Sequence, residues 1–451
     1  MKLPGIFAVS YARGMALPRF AIAAILSLSL PFAAIAAEDQ TERVRELEKK
    51  LQKSMEMIEQ LQTRMRALEN AAKPTAPSAV AMPAPTAQTT DGNRITQLEQ
   101  NVAQMASSNT SASSASSVAA GIPLRGFADV GYGQRSGQAA KGFNLGSLDF
   151  YLTPSFGNGF RGLAELIFET GSGGGLATDL ERLQVGYDFN DSLTLWAGRF
   201  HTPYGYWNNA FHHGAQIQAS ILRPRFIAFE DNGGTLPAHS VGLWATGKID
   251  SGVGKVSYNA YVANAQTIEV ENGPGSGVLS PNTAGSRNGR ATVGGSVGIH
   301  FSGALKGTEV GAHWLRSTID DTSAEANRTR VGMFGGYFVY DENDWEIIGE
   351  TYQFRNRSGG KSFGSNASFL QIGREFGAFT VFGRAEKGRF DQADPYFGQQ
   401  ESGRSYSRLS TGLKFDVTPS AALKFELLRH RPKETGQESY TEGLAQFAVR
   451  F

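Results

Sequence analysis

Residues 405–431 read SYSRLSTGLKFDVTPSAALKFELLRHR. Leu409, Leu413 and Phe415 alternate with Arg408, Lys414 and Asp416, and beyond Thr418-Pro419-Ser420 the pattern resumes, with Leu423, Phe425 and Leu427 alternating with Lys424 and Glu426. A period of two is the strand period, because successive side chains of a strand point to opposite faces of the sheet. The stretch therefore predicts two strands joined by a tight turn, each with one apolar face and one charged face.

The same alternation reaches back to about Ile122. It divides the chain into sixteen segments starting near Leu124, Phe143, Gly159, Asp179, Ser192, His239, Gly254, Arg290, Gly307, Arg328, Asp344, Asn366, Ala378, Ser405, Ala421 and Tyr440. Each is about as long as the roughly 9–11 residues of a tilted transmembrane strand. Connections after every second segment are short: Phe156-Gly157-Asn158, Asn190-Asp191, Asp250-Ser251-Gly252, Ser302-Gly303-Ala304, Asp341-Glu342-Asn343, Phe376-Gly377 and Thr418-Pro419-Ser420. The intervening ones are mostly longer, including Gln134 to Gly142, His201 to Ala238, Gln266 to Gly289, Asp391 to Gly403 and Pro432 to Ser439. Short turns on one side and long loops on the other are the asymmetry of an outer-membrane barrel, with turns toward the periplasm and loops outward. A soluble sandwich, the main competitor, also alternates along its strands but does not predict alternate loop lengths over sixteen of them.

Composition agrees. The 451 residues include 54 Gly, 29 Phe and 14 Tyr but only 40% hydrophobic residues, and mean hydropathy is −0.28. One apolar and one wet face per strand dilutes hydropathy in this way. A net charge of +1 leaves no basic excess of the kind nucleic-acid binding requires, so no nucleic-acid partner is expected. The absence of Cys removes disulfides, thiol nucleophiles and Cys-based zinc sites.

Ahead of the barrel, Lys2, Arg13 and Arg19 precede the apolar run Phe20 to Leu30, and Ala34-Ile35-Ala36 has the small-x-small form of a signal-peptidase site. Residues 1–36 are thus expected to be a signal peptide, the apolar run being shorter than the ~20 residues of a spanning helix. Val44, Leu47, Leu51, Ile58, Leu61, Met65 and Leu68 keep a 3,4 spacing broken only by Ser54, which predicts a coiled coil over 41–70 that needs partner helices. Residues 71–121 form a Pro-, Ala- and Ser-rich linker, with a short helix near 94–105 from Ile95, Leu98, Val102 and Met105. The fold class expected is all-β: a transmembrane antiparallel barrel of about sixteen strands over 122–451, with an N-terminal periplasmic α-helical coiled coil. In the last segment Ala445, Phe447, Val449 and Phe451 share a face, and this strand resembles the terminal signal that outer-membrane insertion machinery recognises.

With the apolar face toward lipid, the opposite face lines the lumen. That parity places Arg384, Glu386, Arg408, Lys414, Asp416, Lys424 and Glu426 inside near one edge, and Arg125, Asp129, Asp149, Arg161, Glu165, Glu169, Arg182 and Asp188 near the other. A wall of both signs suits hydrated polar solutes; any one of these residues could equally serve a structural ion pair. The longest connection, HTPYGYWNNAFHHGAQIQASILRPRFIAFEDNGGTLPA over 201–238, is rich in aromatics: Tyr204, Tyr206, Trp207, Phe211, Phe226 and Phe229. Folded into the barrel it would narrow a pore, bringing Tyr206, Trp207, His212, His213, Arg223, Arg225, Glu230 and Asp231 to the constriction; an outward flap or a subunit contact is the alternative. His201, His212, His213 and His239 cluster without i, i+4 spacing, so no metal or other cofactor is expected. Gly171-Ser172-Gly173-Gly174-Gly175 lacks the Lys-Ser/Thr of a phosphate loop and sits between two strands, so no catalytic residues and no enzyme activity are expected.

Leu195-Trp196-Ala197-Gly198-Arg199-Phe200-His201-Thr202-Pro203-Tyr204-Gly205 is similar to the Gly-Arg/Gln-Phe-x-x-Pro-aromatic stretch entering the constriction loop of trimeric Gram-negative porins. In layout the chain resembles the coiled-coil-bearing porins of the DcaP type and, more distantly, the phosphate-selective porins. The resemblance implies a homotrimer in the bacterial outer membrane, contact with membrane lipid and lipopolysaccharide, a periplasmic N-terminal segment, and passive diffusion of small hydrophilic solutes, often anions. No long run of Lys or Arg is present, so phosphate specificity does not carry over. Two other readings stay open: a saccharide-type porin in which sugar rings slide over the loop aromatics, and a structural anchor whose coiled coil is a periplasmic tether.

Overall fold

The computed structural model describes residues 125–451 except 137–140, 171–174, 212–213, 231–233, 272, 324–325 and 435–436. The expected signal peptide, coiled coil and linker lie outside the described residues. The strands are β1 (Arg125–Arg135), β2 (Lys141–Leu152), β3 (Ser155–Gly157), β4 (Phe160–Thr170), β5 (Leu176–Asn190), β6 (Leu193–His201), β7 (His239–Ser251), β8 (Gly254–Asn264), β9 (Thr267–Glu269) and β10 (Val278–Ser280). They continue as β11 (Ala291–Phe301), β12 (Thr308–Asp321), β13 (Arg328–Glu342), β14 (Trp345–Ser358), β15 (Lys361–Phe376), β16 (Phe379–Arg389), β17 (Tyr406–Thr418), β18 (Ala421–Pro432) and β19 (Tyr440–Arg450). Three of these nineteen, β3, β9 and β10, are three residues long; the other sixteen are the barrel staves.

Each stave pairs antiparallel with the next, β2 with β4 and β8 with β11 across the short strands, and β1 pairs with β19 from Phe127↔Arg450 to Arg135↔Glu442. Closure leaves no edge, so the backbone donors and acceptors of the staves satisfy one another. Side chains follow the parity expected of β18: Phe425 and Leu427 are 51% and 54% exposed, while Lys424 and Glu426 between them are buried. Phe143, Phe334, Leu370, Leu409 and Phe447 also project outward. An apolar surface of this extent matches a hydrocarbon surround.

Most staves begin within two residues of the positions read from sequence; β5 and β15 begin earlier. In β15 the pairing with β14 runs on to Ser358↔Lys361 and turns through Gly359 and Gly360, at φ 55° and 77°. Two consecutive positive φ values make the two-residue hairpin turn whose twist suits the strands, and glycine reaches them without strain. Residues 361–366 are mostly polar on both faces and so gave no alternation to read.

One glycine pairing secures the inner face. Gly298, Gly311 and Tyr337 lie opposite one another on β11, β12 and β13. The Tyr337 ring lies over Gly311, where a Cβ would sit, and its hydroxyl donates to Glu309 Oε1 at 2.7 Å. Gly311→Val should displace the ring and cost about 1–3 kcal/mol, read as a lower urea midpoint for unfolding from detergent; an unchanged midpoint would show that the ring has room elsewhere.

Candidate functional site: the loop inside the barrel

Residues 202–238 join β6 to β7, yet their partners are on β14, β16 and β18, on the far side of the ring. The Trp207 N–H donates to Glu350 Oε1 at 2.6 Å and the Arg225 N–H to Glu386 Oε2 at 2.8 Å. The N–H groups of Ile221 and Leu222 both donate to Glu426 Oε2, at 2.7 and 3.0 Å. The loop thus crosses the barrel interior and is held by wall carboxylates. Arg384, fully buried, donates to Ser220 Oγ at 3.0 Å and Leu222 O at 2.9 Å, and pairs with Glu386 at 3.0 Å and Glu426 at 3.5 Å. Lys424 donates to the carbonyls of Ala215 and Ser220. Buried charges of this kind persist only where partners replace lost water, and here the loop backbone supplies many of those partners.

Local sequence explains why the loop has a shape to dock. A single helical turn, α1 (Trp207–Ala210), and a 3-10 turn at Arg225–Ile227 present Tyr204, Trp207, Phe226 and Ile227, all fully buried. Trp207 meets Phe369 edge-on at 5.6 Å, and Phe226 meets Tyr352 at 4.9 Å. The wall beneath is apolar: Leu315, Ile319, Val331, Met333, Ile348 and Phe354 are buried with the loop side chains in one cluster. The simple rule that apolar faces look at lipid therefore fails on β12–β15, because the loop offers an apolar partner on the inside. A second loop, 390–405, joins this core through α2 (Pro395–Gly398), whose Tyr396 hydroxyl donates to Thr235 O at 2.6 Å and whose Phe397 stacks on Phe390 at 4.6 Å.

The residues expected at a constriction divide accordingly. Tyr206, Trp207 and Glu230 are buried and offer solute little surface. Glu230 accepts from the His239 N–H at 2.8 Å and lies 3.0 Å from its Nδ1, while His239 Nε2 meets Glu181. That chain ties the end of the loop to β5 and β7. His201 lies 3.5 Å from Glu165, and its ring is 5.6 Å from that of His239. His212, His213 and Asp231 lie outside the described residues. Arg223 is a staple within the loop: it donates to Ile227 O at 3.0 Å, Phe211 O at 3.3 Å and Asn208 Oδ1 at 2.7 Å, and lies 4.1 Å over Phe229. Burial lowers its guanidinium to about 10, so it stays charged at neutral pH. Arg225 is half-buried over Tyr406, and burial first, then Arg408, pulls it below the ordinary arginine value.

On the wall, Arg384, Glu386, Lys424 and Glu426 are gathered under the loop, with Arg408 at 3.9 Å from Glu386 and Lys414 paired to Asp416 at 2.9 Å. On the other side Arg161 pairs with Asp188 at 2.8 Å, and Arg182 with Glu165. Asp129 accepts from Ser147 N–H at 3.1 Å and Gln446 at 2.9 Å; Arg125 is half-buried, and Asp149 is buried. Sequence reasoning missed Glu350 and Asp394. Glu350 carried a signal, since alternation sets it on the face of Ile348 and Tyr352, a lone carboxylate in an apolar row.

A closed barrel with an apolar outer band belongs to the membrane-spanning class of β-barrels. No family model and no curated protein sequence matches the chain. Among solved structures it is similar to a loop L8 deletion mutant of OmpT, an outer membrane protein of Vibrio cholerae, at TM-score 0.49 and 10% identity over 73% of this chain and 98% of that one. It is also similar to the outer membrane channel DcaP of Acinetobacter baumannii, at 0.49 and 8% over 73% and 96%. The anion-selective porin from Comamonas acidovorans gives 0.48 and 15% over 73% and 99%.

Glu426→Ala should free the amides of Ile221 and Leu222 and leave Arg384 short of a partner. Hydrogen exchange at those amides should accelerate about 10- to 100-fold, as loss of one to two charge-assisted bonds implies; unchanged protection would mean that packing alone holds the loop. In the second loop, burial pushes the Asp394 carboxyl up to about 6, against the lowering effect of Asn356. A folded-state value above the unfolded one favours the protonated form, so this stabilisation is full below about pH 4 and lost as pH rises through about 6. Exchange in 390–405, corrected for intrinsic rate, should therefore be faster at pH 8 than at pH 5, and Asp394→Asn should remove the difference.

Proposed function

We propose that the chain is a porin of the bacterial outer membrane through which small hydrophilic solutes diffuse passively, with loop 202–238 as its constriction. The observation that carries this reading is the loop itself, pinned across the interior of a closed sixteen-stave barrel by Glu350, Glu386 and Glu426. A loose plug would not need three wall carboxylates aimed at its backbone. Solute would pass beside the loop, meeting Arg225 and the inward charges Arg125, Arg161, Arg182, Arg408 and Lys414. Arg161, Arg182, Arg408 and Lys414 each face a carboxylate, so the wall carries both signs and the preference for small anions rests on Arg225 of the loop, beside Arg408. Residues 1–36 direct export, and the coiled coil over 41–70 joins three copies on the periplasmic side.

A silent structural anchor is the second reading, favoured by how much apolar packing fills one side of the interior. The saccharide alternative loses support, since Tyr204, Tyr206, Trp207, Phe211 and Phe226 are buried and have no ring face free for sugar. Planar-bilayer recording under a salt gradient decides between conduction and anchoring. Conductance steps grouped in threes with an anion-side reversal potential are expected, and Arg225→Glu should move that potential toward cations. A silent bilayer, with folding confirmed by heat-shifted gel mobility, would select the anchor.

A further inference from the structure

Beyond the apolar band, toward the long-loop end, β12, β13 and β14 carry Arg316, Arg330, Arg355 and Arg357 on their outer faces, all exposed. Their outward direction follows from parity, since Leu315, Val331 and Phe354 on the same strands are buried in the interior cluster. Arg316 lies opposite Gly332, and Arg330 lies directly opposite Arg357. Like charges placed opposite in a sheet are destabilising unless something answers them. Among the described residues no carboxylate pairs with any of the four, and the nearby Asp320 is engaged by Arg328 at 2.9 Å. Gly332, between Arg316 and the Arg355 strand, contributes no side chain, so the cluster has a notch at its centre. Trp314 and Phe334, 42% and 63% exposed, border it on the membrane side. Together these residues line an outer-surface groove of about 1150 Å³.

We propose that this groove holds the phosphate monoester groups of a multiply phosphorylated lipid headgroup of the surrounding leaflet. Four guanidinium forks can grip phosphate oxygens bidentately, and a phosphate between Arg330 and Arg357 turns their repulsion into attraction. The aromatic row lies one two-residue step, about 7 Å, below the row of Arg316 and Arg355 along the strands. Interfacial aromatics occupy the level where headgroup gives way to acyl chain. A free phosphate ion would need the arginines but not that rim. The inference rests on the outer-membrane placement proposed above and is independent of whether the barrel conducts.

The full chain, folded in detergent, is titrated with bisphosphorylated lipid A, with phosphatidylethanolamine and with inorganic phosphate, and bound lipid is counted by native mass spectrometry. Substituting glutamine at all four positions (R316Q, R330Q, R355Q, R357Q) should weaken lipid A binding by at least about tenfold, as loss of several charge-assisted contacts requires. Arg429→Gln with Arg431→Gln, on the outer face of β18, should leave binding within about twofold, the scale of remote screened charges. Phosphatidylethanolamine should bind the native and fourfold-substituted chains alike, and millimolar inorganic phosphate should not displace lipid A. Equal lipid A affinity with and without the arginines overturns the proposal. So does displacement by inorganic phosphate, which marks a free-anion site, or loss of the oligomer with lipid affinity unchanged, which marks a subunit contact. If the fourfold variant does not fold by gel mobility, the R355Q/R357Q pair is read by the same criteria. Bilayer conductance of the native chain is recorded separately, so a silent barrel that still binds lipid A refutes conduction and leaves this site standing.

Discussion

Three glutamates set the interior of this barrel. Glu350, Glu386 and Glu426, on β14, β16 and β18, each accept backbone N–H bonds from a loop that enters from the opposite wall. A segment taken out of water must find acceptors for its amides, and an irregular loop cannot supply them all itself. Carboxylates on every second stave do so near the start of the segment, at Trp207, and through its middle, at Ile221, Leu222 and Arg225. The charges of Glu386 and Glu426 are met by Arg384, which with Lys424 binds carbonyls of the same loop, and Glu350 accepts from the Tyr352 hydroxyl. Loop and wall are therefore one polar network, and removal of any member leaves a buried charge short of a partner.

Around that network the packing is asymmetric. From β12 to β15 the inner face is apolar and carries the aromatic side chains of both folded-in loops. From β1 to β5 it is charged, with Arg161 and Asp188 and Arg182 and Glu165 paired across neighbouring strands. The charged side is the one that water can hydrate, and the apolar side is packed like a protein core. The interior is thus part packed core and part charged wall, with Arg225 over Tyr406 and close to Arg408.

The architecture was legible because its signals are local. Turns such as Asn343-Asp344, both at positive φ, sit where short connections were read, and β18 shows its parity in five residues. The early start of β15 escaped because polar residues on both faces carry no period. The loop was legible in part. Its aromatics announced that it must pack, and its length that it must go somewhere, but its wall partners are 143 to 209 residues away in sequence. Nothing near Arg223 and Arg225 distinguishes two arginines separated by one proline, yet one is a staple within the loop and the other faces Arg408. Only tertiary contact separates those roles. Trp207 is similar: the sequence suggests an aromatic at a constriction, and the packing buries it against Phe369.

The same long separations bear on how the molecule is made. The loop is synthesised after β6, but the glutamates that hold it arrive only with β14, β16 and β18, near the end of the chain. Contacts between distant residues form late, since the ordering of everything between them must come first. Until the last staves are in place the segment has neither its apolar bed nor its acceptors. Docking of the loop is therefore a late step of folding, one that waits for strands made long after the loop itself and is complete only once β18 has taken its place beside β19.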